Sequence, residues 1–272
     1  MSSTAPILQV DDLEVTFATA RGPVHAVRGV SFVIAAGERL GIAGSSGCGK
    51  TVSALAITGL LGPTASIAGR VRFAGRDAGA PGSPERRALR GRHIGTILQD
   101  PSSSLNPTLT IGRQITEVLQ VHLALGRAAA RRRAVELLRQ VGIPDAERNF
   151  DEYPHRFSGG MRQRAMIAIA LCCEPQVIVA DEPTSALDVT IQAQILELLV
   201  ELCDERGVAL LLITHDLGVL AGLAQRILVM DDGQIVEHAA VDDLFYRPQH
   251  PCTRALLQAA GRAPSARAEG AR

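Results

Sequence analysis

The chain has 272 residues, with 28 basic and 28 acidic side chains, so its formal net charge is zero and it carries no basic footprint for nucleic acid. Hydrophobic residues make up 46%, ordinary for a soluble globular chain, but aromatics only 3% with no tryptophan, so the core has to be built from Ala, Val, Leu and Ile. The longest apolar runs, such as Val208–Ile213, are far too short to span a bilayer, and any membrane connection must run through a partner.

Met1–Pro6 is short and polar and has no secretory-signal pattern. Cysteines at 48, 172, 173, 203 and 252 have no metal-ligand spacing and read as reduced thiols of a cytosolic chain. Ile7–Phe17 and Val27–Ile34 alternate apolar and polar residues, predicting two antiparallel strands that turn at Arg21-Gly22-Pro23. Val71–Ala74 is a further strand of this small β-layer. Phe17, at the end of its strand, either stacks on an adenine ring or belongs to the core.

Arg39–Ala43 reads as a short buried strand and Thr51–Leu61 as a helix ending at Gly62-Pro63. Between them Gly44-Ser45-Ser46-Gly47-Cys48-Gly49-Lys50-Thr51 matches the phosphate-binding loop pattern G-x-x-x-x-G-K-[ST]. The glycines let backbone N–H groups curl towards phosphate oxygens, and the helix N-terminus adds partial positive charge. Lys50 is placed to reach the outer phosphates and the Thr51 hydroxyl to ligate Mg²⁺. Lys50 is also the only lysine in the chain; every other one of the 28 basic residues is arginine. A compact ammonium suits a phosphate cradle where a planar fork does not. Cys48 reads as a small residue tolerated in the loop.

Residues 76–92 are a Gly-, Pro- and Arg-rich loop with one helical turn from Pro84 to Arg90. Ile94–Leu98 is a buried strand ending at Gln99, and 102–107 is a loop by composition. Helical patterns follow at about 111–125 and 128–141, then a short one at Ala146–Tyr153, so about 100–175 reads as a helical insert between strands of a core sheet. Ser158 is an N-cap, with Gly159 and Gly160 leaving N–H groups bare at the start of a helix to about Cys173. That is a second anion site, separate from the first.

Val177–Ala180 is an apolar strand delivering Asp181 and Glu182 at its C-terminal edge. The first carboxylate can hold Mg²⁺ through water and the second can polarise an attacking water. After Ser185-Ala186-Leu187-Asp188 come a helix at about 190–205 and a strand at Val208–Thr214 that ends in His215. Ile227–Met230 and Gln234–Glu237 form a hairpin; Val241–Tyr246 and Cys252–Ala259 read as helices; the Ala/Arg/Gly/Ser tail 261–272 is expected to be disordered.

In this order, the phosphate loop, Gln99, Phe157–Met161, Asp181-Glu182, the Ser185–Asp188 segment and His215 resemble the ATP-binding subunit of an ABC transporter over about residues 7–260. The resemblance implies an α/β P-loop NTPase fold: a RecA-like parallel-sheet core, an N-terminal antiparallel β-subdomain and an inserted helical subdomain. It implies an ATPase using ATP and Mg²⁺. Phe17 would stack on adenine, and Gly44, Ser45, Ser46, Gly47, Cys48, Gly49, Lys50 and Thr51 would form the Walker A loop. Gln99 would contact Mg²⁺ and water, Asp181 would be the Walker B carboxylate, Glu182 the general base and His215 the switch histidine. Ser158, Gly159, Gly160 and Asp188 would meet a nucleotide held by a second ATPase subunit, in a heterodimer.

Phe157 and Met161 depart from the commoner Leu and Gln of that signature, but spare the serine and glycines. Gln99–Pro107, Leu109–Gly112 and His250–Leu257 are similar to the dipeptide/oligopeptide/nickel importers, with Cys252 where Tyr is usual. The resemblance implies two integral membrane permease subunits, an extracytoplasmic solute-binding protein acting indirectly, and a peripheral position on the cytoplasmic face of the inner membrane. No nucleic acid partner is expected, and no iron–sulfur cluster, since the cysteine-bearing tail of some relatives has no counterpart here. A soluble ABC ATPase acting on nucleic acid or ribosomes is the alternative.

Overall fold

The computed structural model describes residues 6–260 apart from Ala186; the expected disorder of 261–272 falls outside the described residues. Two long strands, β1 (Pro6–Thr19) and β2 (Gly22–Ala35), pair antiparallel from Pro6↔Ala35 to the tight turn at Thr19↔Gly22. Next come β3 (Arg39–Gly44), α1 (Lys50–Thr58), β4 (Ala65–Phe73) and the two-residue β5 (Arg76–Asp77). β4 returns to β1, giving a four-stranded sheet in the order β2-β1-β4-β5. The expected helix to Leu61 stops earlier, because Gly59 takes the left-handed cap (φ 68°) and its N–H bonds back to Ala56.

The chain continues through α2 (Pro84–Leu89), β6 (Ile94–Ile97), α3 (Pro101–Ser104), α4 (Ile111–Leu123), α5 (Arg127–Gln140), α6 (Ala146–Asn149) and α7 (Gly159–Leu171). Residues 101–104 are thus helical where composition predicts loop: the Asp100 carboxylate accepts from Ser102 N–H and starts a turn that the three serines tolerate. The expected helix 146–153 is a four-residue helix, because the N–H groups of Asp151 and Glu152 close tighter turns on the Arg148 and Asn149 carbonyls, and a 3-10 turn follows at Pro154–Arg156. α4 and α5 present Ile111, Ile115 and Leu119, and Ala130, Ala134, Leu137 and Leu138, as buried helical stripes.

The last part holds β7 (Val177–Asp181), α8 (Val189–Arg206), β8 (Ala209–Ile213), α9 (Leu217–Leu223), β9 (Arg226–Asp231), β10 (Gln234–Ala240), α10 (Val241–Tyr246) and α11 (Pro251–Ala259). The sequence pattern does not predict α9, because two glycines in seven residues blur its period; Asp216 caps it. A six-stranded sheet runs β10-β9-β3-β8-β7-β6, parallel except for β10.

Its central strands are buried along their length, so successive residues feed opposite cores. Ile178, Ala180, Leu210, Leu212 and Val229 join the helical core; Val177, Val179, Leu211, Ile213 and Leu228 join the core under the antiparallel sheet. α7 lies so close to β6 that a Cβ on Gly95 would stand 2.4 Å from the Ala170 carbonyl oxygen. The nearest obstructing atoms are Ala170 backbone, which cannot turn aside as a flexible side chain can. Gly95→Ala is therefore expected to lower the unfolding free energy by about 1–3 kcal/mol. Gly62→Ala, where the added Cβ meets nothing within 4 Å, should stay within about 0.5 kcal/mol of the parent. Urea denaturation of the two variants checks the contrast.

Candidate functional site

Because β6, β7, β8 and β3 are parallel neighbours, their C-terminal ends reach one edge of the sheet. β3 ends in the 44–49 loop, β6 leads to Gln99, β7 to Glu182 and β8 to His215. These residues line a cavity of about 360 Å³, with Ser46, Gly47, Gly49, Lys50 and Thr51 from the loop and the start of α1. The volume suits a small ligand.

The loop's shape needs glycine at two places. A Cβ on Gly44 would fall 2.2 Å from the Met230 carbonyl oxygen, and one on Gly49 (φ 105°) 2.4 Å from that of Ala26. Gly233 N–H donates to the Cys48 carbonyl at 3.0 Å, so the β9–β10 hairpin braces the loop from behind. Lys50 is 5% exposed. Its ammonium donates to the carbonyls of Gly44 (2.9 Å) and Ser45 (2.8 Å) and lies 3.7 Å from Cys48 Sγ. Cys48 is buried and does not line the cavity.

Thr51 Oγ1 donates to Asp181 Oδ1 at 3.2 Å. Burial pushes the Asp181 carboxyl above its ordinary value, with the Glu182 charge adding to the rise; the Thr51 hydroxyl and the Lys50 charge oppose it. Glu182 takes left-handed backbone (φ 42°) while its N–H donates to the Ile213 carbonyl at 2.8 Å. This turn off the strand end brings its carboxylate between two groups. Oε2 accepts from Gln99 Nε2 at 3.1 Å and Oε1 faces His215 Nδ1 at 3.0 Å. The glutamate side chain is 17% exposed and the histidine 63%, so the carboxylate is sheltered beneath an open imidazole.

Other expected site residues are not brought to this cavity. Phe17 lies opposite Val24 and Ala65 in the antiparallel sheet, half-buried against the core beneath it. Ser158 caps α7, its Oγ accepting from Met161 N–H at 3.3 Å. A Cβ on Gly159 or Gly160 would meet Leu187 Cδ2 at 3.1 Å or Ile191 Cγ2 at 3.0 Å. Asp188 caps α8, accepting from Ile191 N–H at 3.0 Å. Ala26 and Val52 do line the cavity, and no sequence signal marks them: one is a strand residue opposite the loop, the other an ordinary helix position.

Known proteins bear on this geometry directly. The ABC transporter family profile matches residues 27–185. A probable peptide ABC transporter ATP-binding protein of Sinorhizobium fredii is 52% identical over 92% of this chain and 76% of its own length. A dipeptide transport ATP-binding protein of Bacillus subtilis is 50% identical with the same two coverages. Among solved structures, a dimeric ATP-binding cassette in a post-hydrolysis state with ADP and Pi superposes with a TM-score of 0.76 at 29% identity, over 86% of this chain and 98% of that one.

The raised Asp181 carboxyl makes a stability prediction for the nucleotide-free chain. A carboxyl held above its ordinary 3.8 costs the fold nothing while protonated, and the cost enters as pH rises through the carboxylate range. Asp181→Asn keeps an acceptor for Thr51 and removes that cost. Its urea midpoint is expected above the parent's at pH 7, with the gap closing as pH falls to about 4. A midpoint below the parent's at pH 7 would mean that burial is not what dominates at Asp181.

Proposed function

The chain belongs to the ABC transporter family as an ATP-binding subunit, and from that premise we propose that it powers import of di- or oligopeptides as one of two cassettes on a membrane permease. The observation that carries the catalytic part is the Glu182 carboxylate held between Gln99 and His215 beside the Lys50–Thr51 cradle. Peptide as the solute rests on the curated relatives, named for peptide, dipeptide and oligopeptide transport; none of these names favours nickel. Zero net charge and those names favour transport over a soluble ATPase acting on nucleic acid.

In this reading the loop N–H groups and Lys50 receive the phosphates. Glu182 takes the proton of the water that attacks the γ-phosphate. Gln99 and His215 hold its two oxygens in place, so the base pays no reorientation when the water arrives. Mg²⁺ fits the donors present: a hydroxyl and a buried carboxylate in contact, with the amide of Gln99 nearby. Thr51, Asp181 (through water) and Gln99 would hold it, and it would neutralise charge on the phosphates. Among the described residues no group of three or more His, Cys, Asp and Glu is placed to hold a metal. That accords with an ion bound largely by phosphate and water rather than by a protein cage.

The Ser158–Gly160 helix start lies outside the chain's own cavity, and we assign it to the nucleotide of a second ABC ATPase subunit, in a heterodimer. Asp188, at the neighbouring cap of α8, faces the same partner. Phe17 keeps its proposed place against the adenine. The solved relative that is dimeric with ADP and Pi supports the pairing of two cassettes; the heterodimer is our own assignment. Residues 7–260 form the nucleotide-binding unit, with about 100–175 as its helical part. No described helix is long and apolar enough to cross a membrane. We place the chain peripherally on the cytoplasmic face of the inner membrane, docked on two permease subunits and served indirectly by an extracytoplasmic binding protein, as the reading of it as a peptide-importer cassette implies.

Two experiments test this. In the assembled transporter, peptide-loaded binding protein is expected to stimulate ATP hydrolysis, and Glu182→Gln to cut the rate by about 10²–10⁴ while an ATP-bound pair persists. Near-normal turnover in that variant would refute the base assignment, and no response to any peptide would refute the solute class. Separately, Ser158→Arg should leave ATP affinity of the single cassette unchanged and abolish ATP-dependent pairing, read by light scattering. A lost single-cassette affinity would place Ser158 in its own chain's site instead.

A further inference from the structure

Arg162 lies four residues beyond Ser158 in the opening of α7, a helix with no acidic residue in its first turn. A cation there has the wrong sign for the helix dipole, so other contacts must hold it. Its Nε donates to the Phe157 carbonyl at 3.2 Å and its Nη1 to Ser102 Oγ at 3.1 Å. The planar guanidinium thus spans two acceptors, one adjoining the helix cap and one on α3.

α3 is a rigid block for so short a turn. The Asp100 carboxylate accepts from Ser102 N–H (2.8 Å), and its carbonyl takes the hydroxyls of Ser103 (3.1 Å) and Ser104 (2.7 Å). Leu105 N–H closes on the Pro101 carbonyl at 3.1 Å. Pro101 and Leu105 are buried, Leu105 in the helical core that also holds Phe157. The residue immediately before this block is Gln99, hydrogen-bonded to Glu182. One continuous path of short contacts therefore leads from the Glu182 carboxylate through Gln99, α3, Ser102 and Arg162 to the peptide preceding Ser158.

We propose that Ser102 and Arg162 are positioning residues that tie the orientation of the Ser158–Gly160 helix start to the state of Gln99 and Glu182. This rests on the assignment of Ser158–Gly160 to a partner's nucleotide. Movement of Gln99 would turn α3 as a unit, and the Ser102–Arg162 bond would carry that turn to the start of α7. Folding is not expected to depend on the bond. Ser158 already caps α7, and buried apolar residues already seat α3.

The test uses the full-length chain with its partner cassette, with and without Glu182→Gln. Ser102→Ala should leave ATP affinity of the unpaired cassette unchanged. It should raise the ATP concentration for half-maximal pairing roughly three- to tenfold, the factor expected of an exposed charge-assisted hydrogen bond. In the hydrolysing pair KM should rise by the same factor with kcat retained, and Ser102→Thr should restore parental values. Pairing of Ser102→Ala at the parental ATP concentration overturns the link, and so does a Ser102→Thr variant as impaired as Ser102→Ala. A parent that does not pair with ATP at all overturns the partner assignment itself, and the link with it.

Discussion

Across the central sheet, Ile42 lies beside Ile213, Asp181 beside Ile213 in turn, and Ala180 beside Ile97. This register brings four parallel strands to an end at nearly the same level. Whatever follows each strand then meets at one edge: the 44–49 loop, His215, Glu182 and Gln99. Hydrophobicity alone would guard the register weakly, since these strands are apolar on both faces. The bond from Glu182 N–H to the Ile213 carbonyl pins β7 against β8 at the very end. That bond extends the β7–β8 ladder by one step and holds the left-handed turn at Glu182 that aims the carboxylate.

The site built on that edge is electrostatically unfinished. Lys50 and Asp181 are both buried, 5% and 2% exposed, yet the lysine's charge does not offset the cost of burying the aspartate. Two of the three donors on Lys50 go to its own loop's carbonyls. Among the described residues, the side-chain partner of the carboxylate is the Thr51 hydroxyl. Ligands carrying phosphate and a divalent cation would satisfy both groups at once. Binding only the folded chain, they would stabilise it by an amount that grows with the logarithm of their concentration above Kd.

Much of this was legible in the residues. Gly44–Thr51 announced a phosphate loop because only glycine fits against the Met230 and Ala26 carbonyls, and the pattern records that demand. The buried strands were readable from their unbroken apolar runs and the amphipathic helices from their spacing. What failed is equally physical. α9 hides behind two glycines, α3 depends on a single Asp100 cap, and the helix after the loop ends at Gly59 through a left-handed residue rather than at Gly62. Within the cavity, motifs marked Lys50, Thr51, Gln99, Glu182 and His215, which the sheet edge brings together. They could not mark Ala26, which matters only because the antiparallel sheet folds over the loop, nor the Ser102–Arg162 contact, which joins residues 60 apart.

The distance between the two anion-binding features follows from packing. α7 is fixed at one end by its approach to Gly95, and at the other by Leu187 and Ile191 against Gly159 and Gly160. A side chain at Gly95 would push α7 off the sheet, and one at Gly159 or Gly160 would crowd Leu187 or Ile191. Held at both ends, its N-terminus cannot swing to the Lys50 cradle without undoing both contacts. In the proposed pairing, this helix start, held away from its own chain's cavity, meets a phosphate carried by the partner. On the proposed pairing, the packing that seats α7 would leave each cassette with two half-sites, and ATP hydrolysis would be a property of the pair.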